Sequence, residues 1–397
     1  MAAMTCRNER QMRVTGRGSI RILPGVVGLL WLLAGTWSGL PAQPSLPAAS
    51  SGSAGSSGPA SSSGPAPKGR ITGFCLQLPS SDDGGFYDQC IDEIAQAGAN
   101  FVLLSVAAYQ ENATSLDLAI RPGGLPDDAR LLALIQHAHQ RHLGVALMPI
   151  VLLKSPRLTE WRGKIDPTSA PGGGRSWDEW WKLYQDYILH YARLAKQGGV
   201  EMFAVGSELI STESQKDRWH ALIAQVRAAC DCRLTYAANW DHYMKVSFWD
   251  DLDYLSMSSY YDLTEGKSEF DAQTLQAAWR KYQKDILAFQ AKINKPLLFT
   301  ELGWPNQPTA AKDPWNYYAS TRTDPQLQKT LFEAFFAVWS DQPALAGFFI
   351  WEWRNGPQSL DPATDNSYVP MNKPALEVIR RYLAGPATGP ATHPAAN

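Results

Sequence analysis

From residue 71 onward the chain alternates short apolar runs with longer stretches whose apolar residues recur at helical spacing. Runs at 71–78, 101–107, 144–152, 202–207, 234–239, 254–260, 296–300 and 347–351 read as strands. Helical patterns cover 88–97, 126–142, 176–197, 214–229, 271–291, 325–340 and 374–384, and the connection after the fifth strand is short, around 248–252. Eight strands alternating with helices predict a closed parallel sheet, the α/β architecture of the (β/α)8 TIM barrel. An open doubly wound sheet is the alternative. It ordinarily carries a glycine-rich phosphate turn after its first strand, whereas this first strand runs into Leu76-Gln-Leu-Pro-Ser-Ser81.

Strands of a barrel turn alternate residues toward the barrel centre and toward the helices. On that parity Met202, Ala204, Gly206 and Glu208 share a face in the fourth strand, and Leu297, Phe299 and Glu301 share one in the seventh. In the sixth, Leu255 and Met257 suit the helix side, which turns Ser256, Ser258 and Tyr260 inward. The same reasoning turns Asn239 and Gln77 inward. All these polar residues lie at the C-terminal ends of their strands, the face on which barrel enzymes build their sites.

Two glutamates finishing apolar strands need a reason, because an ionised carboxylate is costly to bury without partners. Pairing with an arginine or capping the next helix would explain either one alone. Both together fit glycoside cleavage, in which one carboxyl protonates the leaving oxygen and another attacks or stabilises the anomeric carbon. Composition agrees. The 397 residues include 15 Trp and 15 Tyr, and aromatic rings are what the apolar faces of pyranose sugars stack on. Net charge is −2, from 36 basic and 38 acidic residues, which gives no reason to expect nucleic acid as a partner.

Outside the barrel the chain reads as a leader, a tether and a tail. Residues 1–42 combine a basic region holding Arg7, Arg10, Arg13, Arg17 and Arg21 with an apolar stretch at 22–40. This is the pattern of a signal peptide or, uncleaved, of a membrane anchor. Residues 43–68, nearly all Ser, Gly, Ala and Pro, form a linker, 69–385 the catalytic domain, and 386–397 a flexible tail. The protein is therefore expected outside the cytoplasm: secreted, periplasmic or on the outer surface, possible tethering included. It is expected to act as a monomer. Cys75 and Cys90 either pair in an oxidising compartment or remain buried thiols.

Seven segments carry a resemblance: Trp161-Arg-Gly-Lys-Ile165, Trp177-x-x-Trp180-Trp181-x-x-Tyr184, Phe203-Ala-Val-Gly-Ser-Glu-Leu209, Leu234-Thr-Tyr-Ala-Ala-Asn-Trp-Asp241, Phe248-Trp-Asp-Asp-Leu-Asp-Tyr254, Ser259-Tyr-Tyr-Asp-Leu263 and Phe299-Thr-Glu-Leu-Gly-Trp304. Together they make the chain resemble glycoside hydrolase family 113, a clan A family known for β-mannanases, over 71–384. The resemblance implies a retaining mechanism, with Glu208 as acid/base and Glu301 as nucleophile. No cofactor is expected. The residue before the acid/base is usually Asn in the clan, where it reads the sugar 2-hydroxyl; here it is Ser207. That departure bears on the choice between mannan and glucan.

Each remaining candidate also has a plainer role open to it. Tyr260 is the phenol expected to donate to the nucleophile; a packed aromatic is the alternative. Asn239 and Gln77 suit sugar hydroxyls, although a turn would also explain Asn239. Trp351 suits the floor under the sugar being cleaved, with Trp240, Tyr261 and Trp304 as further substrate contacts and Trp353 a weaker one. Glu352, of opposite parity to Trp351, is expected to face away. Trp177, Trp180, Trp181 and Tyr184 recur at helical spacing and are read as packing. His137, His139 and His142 do not present three ligands on one helix face, so no metal is expected. The reading is a retaining hydrolase of a β-linked polysaccharide, β-1,4-mannan first. Its alternatives are a non-catalytic exported carbohydrate-binding barrel, a clan A β-glucanase and a transglycosylase.

Overall fold

The computed structural model describes residues 69–81, 84–120, 126–354, 356 and 360–384. The leader, the apolar stretch at 22–40, the linker and the tail lie outside them. Among the described residues no helix is long and apolar enough to cross a membrane.

Eight parallel strands form the barrel: β1 (Ile71–Gln77), β2 (Phe101–Gln110), β3 (Gly144–Leu153), β4 (Met202–Ser207), β5 (Arg233–Ala237), β6 (Leu255–Ser258), β7 (Leu297–Leu302) and β8 (Leu345–Ile350). Pairing runs β5-β4-β3-β2-β1-β8-β7-β6. A single parallel bridge from Ala238 to Met257 joins the two ends of that series. The ring is thus nearly closed, which excludes the open doubly wound alternative. A two-residue strand, Ala119–Ile120, adds an antiparallel partner to β2.

Around the ring lie α1 (Phe86–Gln96), α2 (Asp128–Gln140), α3 (Trp177–Gly198), α4 (Lys216–Ala229), α5 (Ala272–Ile293), α6 (Pro325–Trp339) and α7 (Pro374–Leu383). Helices start where the sequence offers an acceptor for unbonded N–H groups. Ser176 and Glu179 form a reciprocal capping box on α3, and Asp127, Asp271 and Asp324 cap α2, α5 and α6. Two short 3-10 turns, Tyr243–Lys245 and Trp249–Asp251, take the place of a helix after β5.

Apolar side chains form two layers. Inside the ring Ile71, Cys75, Leu103, Met148, Met202, Ala204, Leu298 and Phe349 pack together. Outside it, between strands and helices, lies a larger aromatic-rich layer. In that layer Trp180 is fully buried, stacks on Tyr184 with ring centroids 4.9 Å apart, and donates its indole N–H to Gln110 at 3.0 Å. The helically spaced tryptophans of α3 are therefore packing. Replacing Trp180 by alanine would cost about 3–5 kcal/mol. The two layers also account for the thiols: Cys75 faces the barrel interior, whereas Cys90 lies in the outer layer and donates to the Arg354 carbonyl at 3.7 Å. The strand between them keeps the two sulfurs apart, and no disulfide joins them.

Strand parity needs correction in β4 and β7. In β7, Leu298 points into the barrel while Leu297 and Phe299 face the helices, the reverse of the expectation. The register then slips against both neighbours: against β6 at Met257/Ser258 of that strand, and against β8 between Phe299 and Leu302 of β7 itself. In β4, Met202 and Ala204 face inward as expected. Gly206 does not. A Cβ there would sit 2.7 Å from the Tyr184 hydroxyl and 3.0 Å from Trp219, both in the outer layer. Here too the register shifts, between Ala204 and Ser207. A β-bulge inserts a residue and exchanges the faces beyond it, so strict alternation fails at the ends of the two strands that carry the glutamates.

Candidate active site

Glu208 follows β4 with its backbone in the left-handed region, φ 52°, a conformation uncommon for glutamate that marks a position worth explaining. Its N–H donates to Ala237 at 2.8 Å and the Leu209 N–H to the Tyr236 hydroxyl at 2.8 Å. The Tyr236 hydroxyl in turn donates to Glu213 at 3.0 Å, and Tyr184 donates to the Val205 carbonyl at 2.8 Å. This network holds the bulge and aims the Glu208 side chain. Its carboxylate accepts Arg162 Nη2 at 2.6 Å on one oxygen and Ser258 Oγ at 3.1 Å on the other.

Glu301 lies within β7 and is 4% exposed. Tyr260 donates to it at 2.8 Å, the bond expected of that phenol. Burial, with the charge of Glu301 beside it, pushes the Tyr260 phenol well up, so it stays a donor. Ser259 Oγ donates to the Glu301 carbonyl at 2.9 Å. Two residues on, Gly303 lets the strand end pass against Trp351: a Cβ there would lie 2.0 Å from the Trp351 carbonyl oxygen. Trp351 itself is half-buried on the inner layer, leaving part of its ring open.

The two carboxylates feel each other. Burial, then the charge of Glu208, pushes the Glu301 carboxyl up to about 7; Arg162 and the Tyr260 hydrogen bond oppose this, and Glu352 adds to it. Arg162 bonds Glu208 and lies within the field of Glu301. Burial works against its charge, but Glu208 and Glu301 outweigh that and hold it above its ordinary value. Near neutrality the Glu301 carboxyl therefore stands between its protonated and ionised forms. Arg162 bonds Glu208 directly, whereas Glu301 only feels its field. Glu301 is coupled to the charges around it, so a change in where Arg162 points would shift its carboxyl.

Other predicted residues divide into two groups. Gln77 is half-buried and donates to Glu352. Asn239 continues the inward parity of Ala237, half-buried, and its carbonyl starts the turn that accepts from His242 and Tyr243. Trp240 is half-buried, its N–H donating to Ser258 Oγ at 3.2 Å. Trp240 adjoins Glu208 through Ser258, and Gln77 meets Glu352, whose charge acts on Glu301. Trp304 and Tyr261 belong to the second group: Trp304 is fully buried between Trp279 and Phe332, and Tyr261 packs on Trp279 and Tyr282 in the outer layer. Neither has a free ring face for a sugar. Trp353 is buried likewise against Phe74, donating to Glu93 at 3.1 Å. Ser207 is 1% exposed with its hydroxyl enclosed, so it has no open approach to a sugar hydroxyl. His137 and His139 face separate carboxylates, Asp92 at 2.7 Å and Glu201 at 3.3 Å.

Glu352 turns toward Gln77 instead of away. Its strand ends at Ile350, so alternation no longer governs it. Arg162 was missed because its place depends on a 3-10 turn, Arg162–Lys164, after β3. Its only sequence signal is the segment starting at Trp161. Tyr236 and Glu213 were missed for a different reason. They act from the outer layer and from the loop after β4, where an apolar pattern shows only packing.

Comparison with known proteins matches residues 86–373 to the model of Glycoside Hydrolase Family 113. A search of curated proteins gave no match. Among solved structures, a GH113 β-1,4-mannanase is 28% identical with a TM-score of 0.72, over 80% of this chain and 100% of that one. The GH113 β-mannanase of Alicyclobacillus acidocaldarius, solved in complex with ManMIm, is 28% identical with a TM-score of 0.70, over 80% and 98%. The Faecalibacterium prausnitzii β-glucuronidase, at 14% identity, TM-score 0.52, and 79% and 49% coverage, shares the fold alone.

Proposed function

This chain belongs to Glycoside Hydrolase Family 113, and on that premise we propose that it hydrolyses β-1,4-mannan by double displacement, with Glu208 as general acid/base and Glu301 as nucleophile. That it is a glycoside hydrolase on a (β/α)8 barrel follows from the family and the fold. The observation carrying the finer reading is the convergence of two buried carboxylates on one arginine, Glu208 bonded to it and Glu301 within its field. Tyr260 aims the Glu301 oxygen by its hydrogen bond. Glu208 follows β4 in a braced turn, a position suited to protonating the glycosidic oxygen.

The reaction runs in two steps. Glu301 attacks the anomeric carbon as Glu208 protonates the departing oxygen. Water, deprotonated by Glu208, then releases the sugar. The active state is the singly protonated pair with the proton on Glu208. Arg162 must therefore loosen from Glu208, and swinging its charge toward Glu301 would move the proton the right way. Once the glycosyl ester forms, the charge on Glu301 is gone and Glu208 becomes the stronger acid, ready to act as base.

Mannan comes first because the structurally similar GH113 proteins are described as β-1,4-mannanases. The test is a reducing-sugar assay of the full chain on mannan, glucomannan, cellulose and xylan. The expected result is strongest release from mannan or glucomannan, and release from cellulose or xylan alone would overturn the substrate. The same reading has the enzyme exported, supported by the order of basic region, apolar stretch and Ser/Gly/Pro/Ala linker. Residues 1–68 fused to a reporter should carry it out of the cytoplasm; retention inside would contradict export.

A further inference from the structure

The connection between β7 and α6 runs over residues 303–324 without a helix or strand. A stretch this long in a compact barrel is either functional or floppy, and this one is tied down. The side chains of Asn306, Gln307 and Gln328 are fully buried and hold backbone. Asn306 donates to the carbonyls of Pro362 and Asp365 at 3.0 and 2.7 Å. Gln307 donates to Tyr317 at 2.7 Å and accepts from Ser320 at 3.0 Å. Gln328 donates to Trp304 at 2.9 Å and to Tyr368 at 3.2 Å. Yet the tip of this fixed loop exposes three large aromatics: Trp315 at 55%, Tyr317 at 48% and Tyr318 at 82%. Single exposed apolar residues need no explanation, but three within four positions on a braced loop do.

The tip is continuous with the carboxylate site. Tyr317 packs on Tyr368 with centroids 6.2 Å apart, and Tyr368 on Tyr260 at 6.1 Å. Tyr260 holds Glu301. Tyr368 also ties back to the tip, donating to the Pro314 carbonyl at 2.5 Å. Tyr317 lies within the electrostatic reach of Glu352 and Arg162. We propose that Trp315, Tyr317 and Tyr318 form a glycan-binding platform beside the cleft, holding sugars of the polysaccharide chain beyond the one being cleaved. The proposal rests on the glycosidase reading above. Flat amphipathic rings held rigidly are the chemistry that receives the C–H faces of pyranoses, and bracing before binding removes an ordering cost.

The test compares long and short substrates in the full-length protein. A Trp315→Ala, Tyr318→Ala double variant should lose roughly tenfold in kcat/KM on soluble galactomannan, the scale of one or two lost aromatic contacts. On an aryl β-mannoside, whose one sugar occupies the position being cleaved, it should match the parent. An unchanged value on galactomannan, or an equal loss on both substrates, would overturn the platform. Affinity electrophoresis reads the same surface without catalysis. The parent should be retarded in gels containing galactomannan or glucomannan, and the double variant should run free. If the protein cleaves no glycan, the glycosidase reading fails, and the gels still decide the platform: absent or unaltered retardation removes it.

Discussion

Glu208 and Glu301 stand at the C-terminal ends of two separate strands of one barrel, but the chain holds them by different means. Glu208 leaves β4 through a left-handed turn braced from behind by Ala237, Tyr236 and Tyr184, and its side chain is clamped in front by Arg162 and Ser258. Glu301 stays within β7, buried, with one phenol on its carboxylate. The first is fixed through backbone and an ion pair. The second is fixed through burial and a single donor. The contrast suits the two tasks: a group that must gain and lose a proton needs exchangeable partners, whereas a nucleophile needs a fixed aim.

The largest way to break that contrast is Glu301→Gln, which should lower kcat by at least about 10^4-fold with KM little changed. The same variant reads the cost of burial. Because the Glu301 carboxyl is pushed up to about 7, the folded state binds its proton more tightly than the unfolded chain does. Its contribution is fully present below the ordinary carboxyl range and is lost as pH rises through about 7. Glu301→Gln should thus melt higher than the parent at pH 8 and no higher at pH 4, with a gap on the order of 3 kcal/mol at most. A gap independent of pH would remove the burial argument.

Next is Tyr260→Phe, which removes the hydroxyl that bonds the nucleophile. It should cost roughly 10²-fold in kcat, the scale of one lost donor at a reacting group. An effect on KM alone would make Tyr260 a packing residue. Arg162→Gln should act on the pH profile more than on the rate at optimum. The arginine lowers the Glu301 carboxyl, so without it the pair keeps its proton to higher pH and the alkaline limb of kcat/KM moves upward. A limb that stays in place or moves down contradicts the shared-proton account. The smallest effect belongs to the brace. Tyr236→Phe leaves the Leu209 N–H without its acceptor and Glu213 without its donor, and should cost about 1–3 kcal/mol of stability by thermal melting, with a several-fold drop in kcat.

How much of this was legible in the sequence follows from which forces were local. Strand and helix order came from periodicity, and the barrel from their alternation. Ser258 and Tyr260 were placed by parity, because β6 holds Leu255 and Met257 regularly against the helices. In β7 the same rule reached Glu301 by the wrong face, since Leu297 and Phe299 look outward and only the register slip sets the glutamate apart from them. Bulges are tertiary features with no signature in an apolar run. Trp304 and Tyr261 were assigned to the sugar on residue type, but type does not say which layer an aromatic joins. Arg162 needed a loop to fold back over the mouth, and loops of that kind are fixed by contacts distant in sequence.

The most direct test of the account is azide rescue of Glu301→Ala with an aryl β-mannoside. With the nucleophile gone, azide should enter from the vacated face and restore turnover as the glycosyl azide of inverted anomeric configuration, while Glu208→Ala should give the retained azide. No rescue in a folded Glu301→Ala protein, or the inverted azide from Glu208→Ala, would contradict the assignment of Glu301 as nucleophile and Glu208 as acid/base.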